Sequence, residues 1–115
     1  MADKDEVKSM LEELIETFEE KIENNDKLKD RLQEFERNIA INFEDDGDYS
    51  FHLSDGEISD LKEGKTKRAD ITITTDSETL HALMSGDMKA MEAYARKKVR
   101  VDAPFLDLLK IKDMF

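Results

Sequence analysis

Along the first third of the chain, apolar residues recur at three- and four-residue steps. Val7, Met10, Leu11, Leu14, Ile15, Phe18 and Ile22 fall on one stripe, and Glu12, Glu13, Glu16, Glu19, Glu20 and Glu23 largely fill the other side. The spacing predicts one long amphipathic helix. About two heptads of stripe are too few for a coiled coil, so the helix is expected to pack on its own domain. Asn24 and Asn25 break the pattern, and Asp26 is placed to cap a shorter helix carrying Leu28, Leu32 and Phe35.

From Asn38 the period changes to two. Ile39, Ile41 and Phe43 alternate with polar or small residues, then Tyr49, Phe51 and Leu53 do the same after the turn Asp45-Asp46-Gly47-Asp48. A second turn at Asp55-Gly56 leads into residues 57–63, which completes an antiparallel meander. That third segment is poorly patterned, since Ile58 and Leu61 would face opposite ways, and an edge position or a bulge is expected. After a polar loop from Gly64 to Arg68, Ala69, Ile71 and Ile73 mark a fourth strand.

Helical spacing then returns. Thr75-Asp-Ser-Glu78 reads as a capping box ahead of Leu80, Leu83 and Met84, and Gly86 supplies the stop. Asp87 is expected to cap a helix through Met88, Met91, Tyr94 and Ala95. Val99 and Val101 suit a short fifth strand. Asp102 is a plausible cap and Pro104 fits the first turn of a last helix bearing Phe105, Leu108 and Leu109. The order is α-α-β-β-β-β-α-α-β-α. The outward strand positions are almost wholly polar, so the fold class is α+β: a single five-stranded, mainly antiparallel sheet with helices packed on one face.

Composition narrows the function. The 115 residues include 29 acidic and 18 basic side chains and no cysteine. Disulfides, thiolate metal sites and cysteine nucleophiles are therefore excluded. No apolar run reaches the ~18 residues of a membrane span, and MADKDEVK has no signal core. These features point to a small cytoplasmic-type protein without stable membrane insertion. The net charge of −11 argues against nucleic acid, because phosphate binding depends on clustered Lys and Arg. The acidity belongs to residues 1–75, while residues 76–115 balance. A basic cluster, Arg96, Lys97, Lys98 and Arg100, is explained by the end of a helix complementing its dipole, with a weak anionic head-group contact as the alternative.

Catalytic chemistry finds little footing. His52 and His81 are the only histidines, and neither has a ligand-spaced neighbour. Asp45, Asp46 and Asp48 lack the alternation and terminal glutamate of a calcium loop. No glycine-rich phosphate loop exists among four glycines. Neither a cofactor nor a metal is called for, and an enzyme would have to draw on groups such as His81, Glu92 or Asp107. The methionines are more suggestive. Met84, Met88, Met91 and Met114 gather in the last third with Tyr94, Phe105 and Phe115 between them, which suits either core packing or an adaptable apolar cavity.

The stretch ADITITTDSETLHALMSGDMKAMEAYARKKVRV, residues 69–101, resembles the sterol carrier protein family, type two. It has that family's strand, acidic cap, apolar helix, glycine turn, second helix and short basic strand. The hairpins around Gly47 and Gly56 resemble its central meander, and FLDLLKIKDMF resembles its closing helix, so the likeness runs from about Leu11 to Phe115. In place of the glycine that often follows the fifth strand, this chain has Asp102-Ala103-Pro104. It ends in Asp113-Met114-Phe115 rather than a Ser-Lys-Leu type peroxisomal address, which fits a stand-alone bacterial or archaeal relative.

The resemblance implies one lipid-binding domain over residues 1–115, with an apolar lipid held non-covalently in a tunnel between the sheet and the C-terminal helices. Carried over by position, the lining would be Phe43 and Leu53 from the sheet. The helices would add Leu83, Met84, Met88, Met91, Tyr94, Phe105, Leu109, Met114 and Phe115. A rigid empty site of ~300 Å³ would cost roughly 7 kcal/mol, so without ligand the tunnel is expected to be collapsed, hydrated or plugged by the C-terminal segment. The competing expectation is a non-catalytic dimerisation or docking module, serving a homodimer or a partner enzyme, that has kept the fold without an open tunnel.

Overall fold

The computed structural model describes residues 4–112 except Asp46 and Lys67. Helices α1 (Lys4–Glu23) and α2 (Asp26–Leu32) precede β1 (Glu36–Phe43), β2 (Asp48–Ser54), β3 (Glu57–Glu63) and β4 (Ile71–Thr75). Then follow α3 (Ser77–Ser85), α4 (Ala90–Ala95), β5 (Arg100–Asp102) and α5 (Phe105–Lys112), giving the expected order. The strands form one mixed sheet in the order β3-β2-β1-β4-β5. Three of its four pairings are antiparallel, and β1 runs parallel to β4 with Ile39 opposite Ile71 and Ile41 opposite Ile73.

This register puts Ile39, Ile41, Tyr49, Phe51, Leu53, Ile71, Ile73 and Val101 on one face, and the helices cover it. The other face carries Asn38, Ser50, His52 and Thr72. The core divides in two. Ile22, Leu28, Leu32, Phe35, Ile39, Leu53 and Ile71 pack at one end of the sheet. Val7, Met10, Leu11, Ile41, Phe43, Tyr49 and Leu80 pack at the other, where the Phe43 and Tyr49 rings meet edge to face at 5.7 Å. Helix α1 feeds both clusters from its two ends. Its middle residue Leu14 is left exposed between them.

The caps differ from the sequence reading by a residue or more. Asn25, not Asp26, caps α2, its side-chain oxygen accepting from the Leu28 N–H at 3.2 Å. Asp76, not Thr75, caps α3 by accepting from the Thr79 N–H at 2.7 Å. Thr75 stays in the sheet because its carbonyl accepts from the Glu44 N–H, and its hydroxyl donates to the Lys98 carbonyl at 3.0 Å. Asp87 accepts from the Ser85 hydroxyl instead of capping, and α4 starts after Lys89 with no side-chain cap. Asp102 belongs to β5, and α5 begins at Phe105.

The turns follow expectation. Asp55 and Gly56 both take positive φ, 51° and 82°, as a tight hairpin requires, and a Cβ on Gly56 would lie 3.1 Å from the Ile22 side chain. Strand β3 is both an edge and bulged: its register slips between Ser50 and His52, with Asp60 at φ 58°. Gly86 ends α3 in the left-handed region. The turn after β1 is fastened to α3, since Asp45 accepts from both the backbone N–H and the hydroxyl of Ser77. Those two hydrogen bonds hold the Asp45 carboxyl below its ordinary range.

Candidate functional site

Phe51 and Ile73 touch both core clusters yet stay half-buried, and Val101, opposite Ile73 on β5, is half-buried as well. These positions share the helix-facing side of the sheet, Phe51 and Ile73 on the strands that flank β1 and Val101 on the edge strand β5. The helical layer buries Ile39 and Ile41 on the central strand and leaves these flanking positions partly open. Met84 from α3 packs beside the Phe43 cluster and is also half-buried.

The helices of the second half show the complementary pattern. Met91 is 52% exposed, Tyr94 50%, Phe105 72%, Leu106 73% and Leu109 45%. Phe105, Leu106 and Leu109 lie within one ~100° arc of α5, so the helix carries a continuous apolar face in solvent. The opposite arc contains Asp107, only 3% exposed. Asp107 accepts from Arg37 Nε at 2.8 Å and Nη2 at 3.1 Å, a forked pair across 70 residues of chain. Hydrogen bonding to Asp107 pushes the Arg37 guanidinium further above its already high range. The Arg37 guanidinium and the Lys110 ammonium sit 4.4 and 4.7 Å from the centre of the Phe35 ring. Among the described residues, a forked ion pair and cation–ring contacts tie α5 to Arg37 and Phe35. Helix α4 is anchored by fully buried Ala93, whose carbonyl accepts from the Lys98 N–H at 2.8 Å.

The residues expected to line a lipid site separate into three groups. Phe43 and Leu53 are fully packed, and in different clusters. Leu83, Met84 and Met88 are half-buried, with Met84 beside the Phe43 cluster. Met91, Tyr94, Phe105 and Leu109 face solvent. Met114 and Phe115 lie outside the described residues. Sequence reasoning missed Phe51, Ile73, Val101 and Leu106. The first three alternate correctly in their strands, but which neighbours they meet across the sheet depends on register. Two open clefts, of about 700 and 440 Å³, are lined by none of the expected residues. One lies on the helix-free face, and the other lies between α1 and β3 against Ile15, Ile58 and Leu61.

The groups weighed for catalysis do not assemble. Asp107 is committed to Arg37, Glu92 pairs with Arg96 at 3.3 Å, and His81 is exposed. Arg96 caps the end of α4, while Arg100 reaches Glu44 at 3.1 Å. Among the described residues, no group of three His, Asp or Glu could hold a metal ion, and no helix is long and apolar enough to cross a membrane.

Comparison with known proteins decides the family. The model of the SCP-2 sterol transfer family matches residues 15–113. The chain belongs to the SCP-2 sterol transfer family. No curated protein matches it by sequence. Among solved structures, it is similar to the sterol carrier protein domain 2 of Helicoverpa armigera, at 15% identity and TM-score 0.60, over 91% of this chain and 84% of that one. A conserved hypothetical protein of Thermus thermophilus, described as possibly a sterol carrier protein, gives 16% identity and TM-score 0.57 over 82% and 73%. The stereoselective sec-alkylsulfatase Pisa1 from a Pseudomonas species gives 19% identity and TM-score 0.56 over 75% of this chain. This family domain spans only 13% of that sulfatase chain. At such identities the likeness is one of fold, and it agrees with the mixed sheet and one-sided helices described above.

Proposed function

We propose that residues 1–115 act as one lipid-binding domain that holds an apolar chain, fatty acyl, isoprenoid or sterol-like, for carriage or sequestration. The observation that carries the reading is the exposed apolar set Met91, Tyr94, Phe105, Leu106 and Leu109 on α4 and α5. It accompanies half-buried, helix-facing sheet positions at Phe51, Ile73 and Val101, within a fold of the SCP-2 sterol transfer family. Side chains of this kind in water favour an apolar ligand at roughly 25 cal/mol per Å² covered. Shape rather than hydrogen bonding would select among chains, and no bond is made or broken in the ligand.

The test is a titration of delipidated protein with a fluorescent fatty acid, followed by competition with unlabelled fatty acid, acyl-CoA, isoprenoid alcohol and sterol. Saturable, stoichiometric binding displaced by one class supports the reading and names the chain. At a hundredfold excess over the dissociation constant, the ligand adds about 2.7 kcal/mol of stability. An unchanged melting temperature under verified saturation would sink it.

A docking module is the second reading, and the apolar arc of α5 favours it. In that case no lipid binds, and sedimentation detects a dimer or a complex that Phe105→Ser with Leu106→Ser abolishes.

A further inference from the structure

The loop between β3 and β4 reverses the charge of its surroundings. Residues 62–68, KEGKTKR, contain four cations and one acid in a chain of net charge −11. The loop is fastened back onto the sheet at both ends. The Gly64 N–H donates to the Asp48 carbonyl at 2.7 Å, and the Asp70 N–H donates to the Asn38 carbonyl at 2.7 Å. In return the Asn38 N–H donates to the Asp70 carboxylate at 2.8 Å.

The fastened loop borders the cleft of about 700 Å³ on the helix-free face. Lys62, Lys65 and Arg68 line it from β3 and the loop, with Thr66 between them, while Asn38, Ser50 and His52 form its floor. His52 is held in place: Nδ1 lies 2.8 Å from Asn38 Oδ1, and Nε2 lies 3.5 Å from Glu36. Lys62 stands opposite Ser50 and so shares the floor's face. Two acids also belong to the lining. Glu63 is in register with the core-side Tyr49 and starts from the other face of β3, and Asp60 occupies the bulge.

We propose that this cleft, which Phe51 also borders, binds a phosphate-type anion through the polar groups on the sheet face away from the helices. Three flexible cations with the Thr66 hydroxyl around a concave floor provide charge-assisted donors from several directions. Phosphate oxygens accept from all of them, whereas a single carboxylate would leave part of the ring unused. The anion could be presented by a soluble phosphate ester or by a phospholipid headgroup, and the two sources are separated experimentally.

The experiment uses the full chain and records amide and imidazole NMR shifts during titration with pyrophosphate. In parallel, sedimentation measures binding to phosphatidylcholine vesicles with and without phosphatidic acid. The expected result is saturable shifts centred on Asn38, Ser50, His52 and residues 62–68. A Lys62→Ala, Lys65→Ala, Arg68→Ala variant, shown to be folded by its unchanged dispersion elsewhere, should bind at least about tenfold more weakly. An Arg96→Ala, Lys97→Ala, Lys98→Ala variant should bind as the parent does. Phosphatidic-acid vesicles bound through the same three cations, with pyrophosphate inert, would assign the headgroup source. The proposal is overturned if neither probe saturates, if the first variant binds as well as the parent, or if the shifts centre on residues 96–100.

Discussion

The first and last helical layers of this molecule use apolar residues in opposite ways. Helices α1 and α2 send Val7, Met10, Leu11, Ile22, Leu28 and Leu32 into the core and leave their charges in water. Helix α5 sends Asp107 inward and leaves Phe105, Leu106 and Leu109 in water. Stability and apolar exposure are thus assigned to different ends of one chain. The N-terminal layer meets the cost of ordering the backbone by burial. Among the described residues, the C-terminal layer combines a forked ion pair and cation–ring contacts with apolar side chains that stand in water at Phe105, Leu106 and Leu109.

The sharpest way to break this contrast is to truncate one residue on each side of it. Leu32→Ala, at a fully buried site, should cost about 3 kcal/mol in urea unfolding, whereas Phe105→Ser should change stability by no more than about 0.5 kcal/mol. Comparable losses for the two would mean that α5 packs as tightly as α2. Next, Asp107→Asn strands the Arg37 guanidinium that now shares the carboxylate. Because Arg37 is about one-third exposed, solvent tempers the loss to about 2 kcal/mol. Hydrogen exchange should rise through α5 while α1 and α2 keep their protection, and uniform loss across the molecule would contradict a separately fastened helix.

Gly56→Ala sharpens the N-terminal side. It forces an L side chain into φ 82° and against Ile22, so a loss of about 1–2 kcal/mol is expected, read as a lower midpoint with an unchanged denaturant slope. The smallest effect concerns Asp45, whose folded-state pKa is depressed by Ser77. Its contribution is complete above the ordinary carboxylate pKa and is lost as pH falls through the depressed value. Asp45→Asn should therefore flatten part of the acid limb of a stability–pH profile while leaving neutral-pH lipid binding intact. A profile superimposable on the parent's would remove Asp45 from the acid response.

The fold was largely legible because the residue pattern and the tertiary burial agree. Two periodicities distinguish helices from strands, polar outward positions place the helices on one side, and Ile58 with Leu61 betrays the bulged edge. The caps were displaced where a competing hydrogen bond decided, as when Thr75 stays in β4 and passes its role to Asp76. The apolar site was less legible. Phe43 and Leu53, carried over from the resemblance as lining residues, stand at opposite ends of the sheet and pack in separate clusters. The openness of Phe51 and Ile73 depends on what the helices fail to cover, which periodicity does not encode. Likewise, an inward Asp107 contradicts the apolar stripe of α5 until Arg37, seventy positions earlier, is placed opposite it.

The parallel pairing of β1 with β4 has a consequence for the order of assembly. The hairpins β1–β2 and β2–β3 close within a short span of chain, so three strands can associate as soon as residue 63 is available. One flank of β1, with Ile39 and Ile41, then waits for residues 71–75 before it gains a neighbour. During synthesis that flank is an unprotected sheet edge beside a half-built core, and such an edge invites pairing with another nascent chain. The completed sheet then moves its exposed margins outward, to bulged β3 and three-residue β5.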